Sequence, residues 1–317
     1  MDENRSKNLI LIADRQVSGW ETFEKIAGHV REFAPDIKPV LMHPKKPNLL
    51  ARLLLPRRPT MVFSGAKLPL LCRGLPGTVV QGGALPKSEE LKRLEQHGFP
   101  VPRWTTLTRT SMPDLSGFGP YVVIKPEYGR RGADIRIMKR GRVRWIEPRT
   151  RQASVRNNSW VVQDFIYTGK WPVSYRITTL FGEVLWSWCV AADRKRSPLQ
   201  HKYGFSVHGK QGGGITIVSG GKGCGFKLNY DQEIISLAEK VHSAFPELPV
   251  LGVDIIREEP DGRLFVLEVN SSGYTLHFTT RMGLSIQKLA GFNLDSQFDG
   301  IRKAGRILAE QTRIKAS

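Results

Sequence analysis

Near the start of the chain, Asn8 to Ala13 is a nearly unbroken apolar run. Ser18 to Phe33 then places Phe23, Ile26, Ala27 and Val30 at helical spacing, and Lys38 to Met42 is apolar again. A strand, a helix and a strand follow from this pattern, a βαβ opening. Thr60 to Ser64 and Gly77 to Gln81 read as further strands, and Ser88 to His97 as a polar helix that stops at Gly98-Phe99-Pro100. Between the second and third strands lies HPKKPNLLARLLLPRRP, residues 43 to 59, a leucine cluster between basic proline pairs. It reads as a surface helix or a partner site, with membrane contact the weaker reading at this length.

From Tyr121 the chain reads as strand, glycine-rich loop and strand: YVVIKP, then EYGRRGA, then DIRIM. Strands follow at Trp160 to Ile166 and Ser174 to Leu180, with a partner at Glu183 to Ala191 across Phe181-Gly182. The stretch Gly204 to Gly225 is too rich in glycine to pack as regular structure and is expected to be a mobile loop. Asp231 to Phe245 is an amphipathic helix, and helices at Ile286 to Ala290 and Gly300 to Lys315 close the chain.

Residues 251 to 270, LGVDIIREEPDGRLFVLEVN, read as two strands around Pro260-Asp261-Gly262. With the turn centred on Asp261, Asp254 falls directly opposite Glu268, at a cross-strand separation of about 4.5–5.5 Å. Asn270, two residues beyond Glu268, shares its face. Two carboxylates and an amide oxygen, without His or Cys, suit magnesium, which takes its remaining ligands from water and phosphates. An acidic ribbon that binds nothing is the competing reading. Against it stand the apolar neighbours Val253, Ile255, Leu267 and Val269, because buried charge is costly unless paired or metal-bound.

Composition narrows the function classes. A chain of 317 residues with 40% hydrophobic content can bury a large core, and its three cysteines are too few and too scattered for a disulfide framework or a zinc site. A cytoplasmic, non-secreted protein without a membrane span is the expectation. The net charge of +19 is concentrated: residues 121 to 160 hold 11 Lys and Arg against three acidic residues, and 193 to 227 hold seven against one. Basic residues gathered around a glycine loop point to an acidic ligand in a cleft and argue against nucleic acid as the partner.

Lys125 ends an apolar strand just before a loop containing Gly129 and Gly132, where backbone N–H groups and an ammonium can meet phosphate. The spacing is not that of a Walker A loop, and a strand follows it. The order of these elements resembles the ATP-grasp superfamily over residues 85 to 292, especially its carboxylate-amine ligases. The resemblance implies an α/β (α+β) ATP-grasp fold: residues 1–85 as a pre-ATP-grasp domain, 86–166 as a small subdomain with the phosphate loop, and 167–317 as a C-terminal subdomain with the metal site.

It further implies ATP and Mg2+ as cofactors, with Lys87 and Lys125 as phosphate lysines and Gly129, Arg131 and Gly132 in the phosphate loop. Gln163, Asp164, Phe165 and Ile166 would form the adenine hinge, and Arg176 would be the catalytic arginine. Asp254, Glu268 and Asn270 would be the metal ligands, with Ser272 and Gly273 in the substrate loop. The chain departs from the family pattern at Ser174, where an acidic residue is common, at Arg130 and Arg131, where small residues are common, and in a substrate loop without proline. The implied activity is amide or peptide bond formation from a carboxylate and an amine, as small molecules or peptides, by a chain whose relatives are often homodimers. A kinase on the same fold and a nucleotide-regulated binding protein for an acidic partner are the alternatives.

Overall fold

The apolar opening forms a parallel sheet whose central strand, β1 (Lys7–Ile12), is buried on both faces. A computed structural model describes residues 6–13, 19–44, 58–72, 74–129, 134–147, 159–192, 224–271 and 276–317. Beside β1 lie β2 (Ile37–Met42) and β3 (Thr60–Ser64), with β4 (Thr78–Gln81) at the edge, in the order β2-β1-β3-β4. Helix α1 (Trp20–Phe33) joins β1 to β2. It buries Phe23, Ile26, Ala27 and Val30 against Leu9, Leu11 and Phe63, while Ile10, Ile12 and Val62 face a second cluster with Cys72 and Leu75. Most of the leucine-proline segment, residues 45–57, lies outside the described residues.

Helix α2 (Lys87–Gln96) is closed after His97 by Gly98, whose φ of +75° suits glycine. It leads into β5 (Trp104–Thr108). With β6 (Tyr121–Pro126), β7 (Arg136–Lys139) and β8 (Ser159–Asp164) this forms an antiparallel sheet in the order β5-β8-β6-β7. Val122, Ile124, Trp160 and Val162 pack on one face with Leu107 and Phe118. The expected strand to Ile166 stops at Asp164, leaving Phe165 and Ile166 in the following connection.

The third sheet is built from β9 (Val173–Leu180), β10 (Glu183–Ala192), β11 (Cys224–Leu228), β12 (Val250–Arg257) and β13 (Leu264–Asn270), in the order β11-β10-β9-β12-β13. Helix α3 (Gln232–Val241) covers one face with Ile234, Ile235, Ala238 and Val241 against Ile177, Val253 and Ile255. Asp231 caps this helix by accepting the N–H groups of Glu233 and Ile234, and the helix yields to a short 3-10 turn over His242–Ala244. The expected loop from Gly204 to Gly225 falls outside the described residues up to 223. Its last residue, Gly225, is within strand β11, where pairing with Ala191 supplies the order that the glycine-rich composition did not suggest.

Helix α4 (Arg281–Ala290), the short α5 (Asp295–Phe298) and α6 (Gly300–Lys315) follow. Helix α6 returns to the first sheet and packs on α1. The two approach so closely at Gly305 that a β-carbon there would lie 2.5 Å from that of His29.

Candidate active site

Four side chains stand in one line across the third sheet. Trp188 is directly opposite Arg176, Arg176 opposite Asp254, and Asp254 opposite Glu268. Directly opposed residues share a face, so the row lies on the side away from α3. The pairing of Asp254 with Glu268 is the one expected from the sequence. Closer to the turn, however, the register slips by one, and Ile255 pairs with Val266. The extra residue is Leu267, a bulge that turns its carbonyl toward Lys125, whose Nζ donates to it at 3.5 Å.

The charges in the row are paired. Arg176 donates from Nε to Oδ1 of Asp254 at 2.7 Å and from Nη2 to Oδ2 at 2.5 Å. Asn270 donates from Nδ2 to the same carboxylate at 3.1 Å and to the Gly252 carbonyl at 3.4 Å. Lys87 reaches Glu268 Oε1 at 3.4 Å. Burial opposes the charge on Arg176, but Asp254 and then Glu268 outweigh it and hold the guanidinium above its ordinary pKa. Burial lowers Lys125 to about 8 despite the attraction of Glu268.

Local sequence explains how the lysines are held. The cap position of α2 is Pro86, which has no polar side chain to offer the first N–H groups. Glu127, the first residue after β6, supplies the missing acceptors. Its carbonyl takes the Lys87 N–H at 3.2 Å, and its carboxylate takes the N–H and hydroxyl of Ser88, each at 3.0 Å, and the Ser159 hydroxyl at 2.9 Å. The residue that opens the glycine loop therefore also fixes the helix that starts with Lys87. Lys125 lies opposite Val161 and Val123 opposite Gln163, which puts Lys125 and Gln163 on one face of the second sheet.

Glu90 lies one turn beyond Lys87, within the influence of Lys87, Lys125 and Glu268. Burial, and then the negative charge of Glu268, push its carboxyl well above the usual carboxylate range. Neither Glu90 nor Glu127 was singled out from the sequence. For Glu90 the available signal was its i,i+3 spacing from Lys87. For Glu127 no local pattern pointed to a helix 39 residues upstream.

Among the described residues no three His, Cys, Asp or Glu side chains cluster as a self-sufficient metal site. Two adjacent carboxylates, side chains 22% and 21% exposed, with an amide beside them, instead fit a hard divalent cation that draws other ligands from water and phosphate. Lys87 and Arg176 now neutralise these carboxylates. Asn270 presents its amide nitrogen to Asp254, so an oxygen-ligand role would require the amide to turn over.

The structure brings Lys87, Lys125, Arg176, Asp254, Glu268 and Asn270 together. Gln163 is 1% exposed, and its Nε2 is buried with no hydrogen-bond partner among the described residues. The Asp164 carboxylate faces away and accepts the Gly119 N–H at 2.9 Å, while the N–H groups of Asp164 and Phe165 bond to the carbonyls of Arg103 and Tyr121. Ile166 follows in the same connection, and Gly129 sits at the start of the loop. Arg131, Gly132, Ser272 and Gly273 lie outside the described residues.

Residues 85–272 match the family model for an ATP-grasp domain. No curated protein sequence matches the chain. Similar solved structures include D-alanine–D-alanine ligase from Bacillus anthracis, with 12% identity, a TM-score of 0.51 and coverage of 97% of this chain and 98% of that one. D-cycloserine synthetase DcsG is similar at 15% identity and TM-score 0.51, covering 96% and 99%. The ATP-grasp ligase PsnB, complexed with minimal precursor, Mg and ADP, is similar at 13% identity and TM-score 0.52, covering 97% and 98%. At these identities the likeness establishes the fold.

Proposed function

This chain belongs to the ATP-grasp family, and from that premise we propose that it is an ATP-dependent carboxylate-amine ligase that forms an amide or peptide bond through an acyl phosphate. The observation that carries the reading is the row Arg176–Asp254–Glu268, flanked by Lys87 and Lys125. Two carboxylates, two ammonium groups and a guanidinium meet there, from the third sheet, the start of α2 and the end of β6. Similar proteins have been solved with ATP, or with Mg and ADP.

In the proposed reaction a carboxylate oxygen of one substrate attacks the γ-phosphorus of ATP and ADP leaves. The amine nitrogen of the second substrate then attacks the acyl carbon, phosphate leaves, and the nitrogen loses its proton. Bound magnesium would neutralise phosphate charge, held by Asp254, Glu268 and Asn270. Lys87 and Lys125 hold phosphate oxygens, and Arg176 faces the charge that develops on the transferring group and on the tetrahedral carbon. This scheme asks the protein for placed charge and has no protein nucleophile. Gln163 to Ile166 serve as the base-binding connection, and residues 1–85 complete the substrate cleft. The basic excess around residues 121–160 and 193–227 supports an acidic substrate.

The test is ADP release from Mg-ATP with pools of amino acids, dipeptides and small carboxylic acids. Release that requires both a carboxylate and an amine supports ligation. Release with a hydroxyl acceptor alone supports a kinase, and ATP binding with no turnover in any pool supports a nucleotide-regulated binder.

A further inference from the structure

Strand β7 is an outer strand of the second sheet, and among the described residues no strand pairs with its free side. The Arg140 N–H donates to the Pro120 carbonyl at 2.9 Å, and Lys139 stands opposite Tyr121, Met138 opposite Val122 and Ile137 opposite Val123. Bonded and non-bonded pairs alternate along an antiparallel ladder, so Met138 and Arg136 bond to β6 while the main chain of Ile137 and Lys139 points outward. The Tyr121 carbonyl, turned the other way to accept the Phe165 N–H, agrees with this phase. The free edge therefore presents the N–H and C=O of Ile137 and the N–H of Lys139.

The same stretch is cationic. Between Asp134 and Glu147 the chain carries Arg136, Lys139, Arg140, Arg142 and Arg144 and no acidic residue. Arg140 is committed to the Ser116 and Phe118 carbonyls at 2.8 and 2.6 Å, and Glu147 pairs with Arg109 at 3.6 Å. Lys139, Arg142 and Arg144 are exposed, and no ion pair joins them to a described residue. Like charge keeps a second copy of this edge away. A nucleic acid would meet the charges but has no amide ladder to offer the strand, whereas a polypeptide bearing carboxylates matches both features.

We propose that β7 is the docking edge for an extended acidic polypeptide segment. The segment adds a strand beside Ile137 and Lys139 through main-chain hydrogen bonds and sets its carboxylates against Lys139, Arg142 and Arg144. Ile137 and Lys139 share the face that carries Lys125 and Gln163, so every second side chain of the docked segment stands on the proposed nucleotide side of the sheet. The inference deepens the ligase reading by giving its acidic substrate a place to dock, but docking requires neither nucleotide nor turnover.

The test is fluorescence anisotropy of the full-length chain with a labelled short peptide of alternating Glu and Val, at about 0.1 M salt, with unlabelled oligothymidylate as competitor. Lys139 has φ −61° and ψ 135°, which proline also adopts, so Lys139→Pro removes the outward N–H and leaves the bonds to β6 in place. It should bind the peptide about fivefold more weakly than Lys139→Ala, which loses the same charge but keeps the N–H. The double variant Arg142→Glu, Arg144→Glu should weaken binding by about tenfold or more. If Lys139→Pro does not fold, the peptide N-methylated at alternate residues supplies the comparison on the unaltered chain: one of the two alternating patterns should lose binding and the other keep it. Equal affinities in the Pro and Ala variants, no response to the arginine reversal, displacement of the peptide by oligothymidylate at equal or greater affinity, or no peptide binding by the unaltered chain would overturn this inference alone. Docking as expected in a chain that yields no ADP with any pool would support this inference and count against the ligase reading.

Discussion

Arg176 and Asp254 are cross-strand partners joined by two hydrogen bonds, so the proposed catalytic arginine and a proposed metal ligand neutralise each other. Lys87, at the start of helix α2, forms an ion pair at 3.4 Å with Glu268 on the next strand. Nucleotide and cation would meet these groups together: the cation takes the carboxylates, the phosphates take the cationic side chains, and no charge is stranded in the exchange. This accounts for two lysines, an arginine and three carboxylates in a small part-buried space.

Arg176→Ala should lower kcat/KM by at least about a thousandfold, the scale of an arginine acting on a transferring phosphoryl group. Arg176→Lys should recover little, because an ammonium cannot reproduce the two-point grip on Asp254. Steady-state ADP release, with circular dichroism to confirm folding, checks both.

Glu268→Gln should weaken magnesium-dependent ATP binding by about tenfold or more, since one charged oxygen ligand becomes neutral. Its effect should shrink when magnesium is removed by chelation. Calorimetric titration with ATP, with and without excess EDTA, reads this difference. A variant with unchanged magnesium dependence would remove Glu268 from the metal site.

His242 provides a test of the fold that is independent of the site. Burial lowers its pKa to about 4 from an ordinary 6.5, and Nδ1 lies 3.0 Å from the Thr179 hydroxyl. Between these values the unfolded chain binds a proton that the folded chain does not, so stability falls as pH drops from 6.5 toward 4. The contribution is roughly 3 kcal/mol at the lower end. His277, lowered by burial and then by Arg176 to about 3, acts with the same sign. Unfolding midpoints measured across this range should flatten in His242→Gln.

Two glycines separate packing from propensity. At Gly305 a new β-carbon would meet that of His29 at 2.5 Å, whereas at Gly28 in α1 nothing lies within 4 Å. Gly305→Ala should cost about 1–3 kcal/mol by forcing α1 and α6 apart. Gly28→Ala should add about 0.5–1 kcal/mol through helix propensity. Chemical denaturation of both variants tests the observed contact between the two helices.

Much of the fold was legible because it is written in local periodicity. The βαβ opening, the Lys125 strand and the Asp254–Glu268 pairing follow from apolar spacing and one turn. What escaped is non-local or depends on a single residue. The bulge at Leu267 shifts the register by one without leaving a mark in the alternation of apolar residues. Strand β11 begins in a glycine-rich stretch, and only its pairing with β10 makes it a strand. Glu127 caps a helix far upstream, and Glu90 reads as one more polar residue on a polar helix until β13 is laid against it. For the site, the residue types and their order were legible; their engagement was not, as the Asp164 carboxylate turned toward Gly119 shows.

The most direct test of the central claim is stoichiometric ADP release from Mg-ATP in the presence of carboxylate and amine pools, run beside Glu268→Ala. The account predicts ADP formation that needs both co-substrates, matches the amide product mole for mole, and vanishes in the variant. ADP formation that proceeds without an amine, or that persists at the full rate in Glu268→Ala, would contradict it.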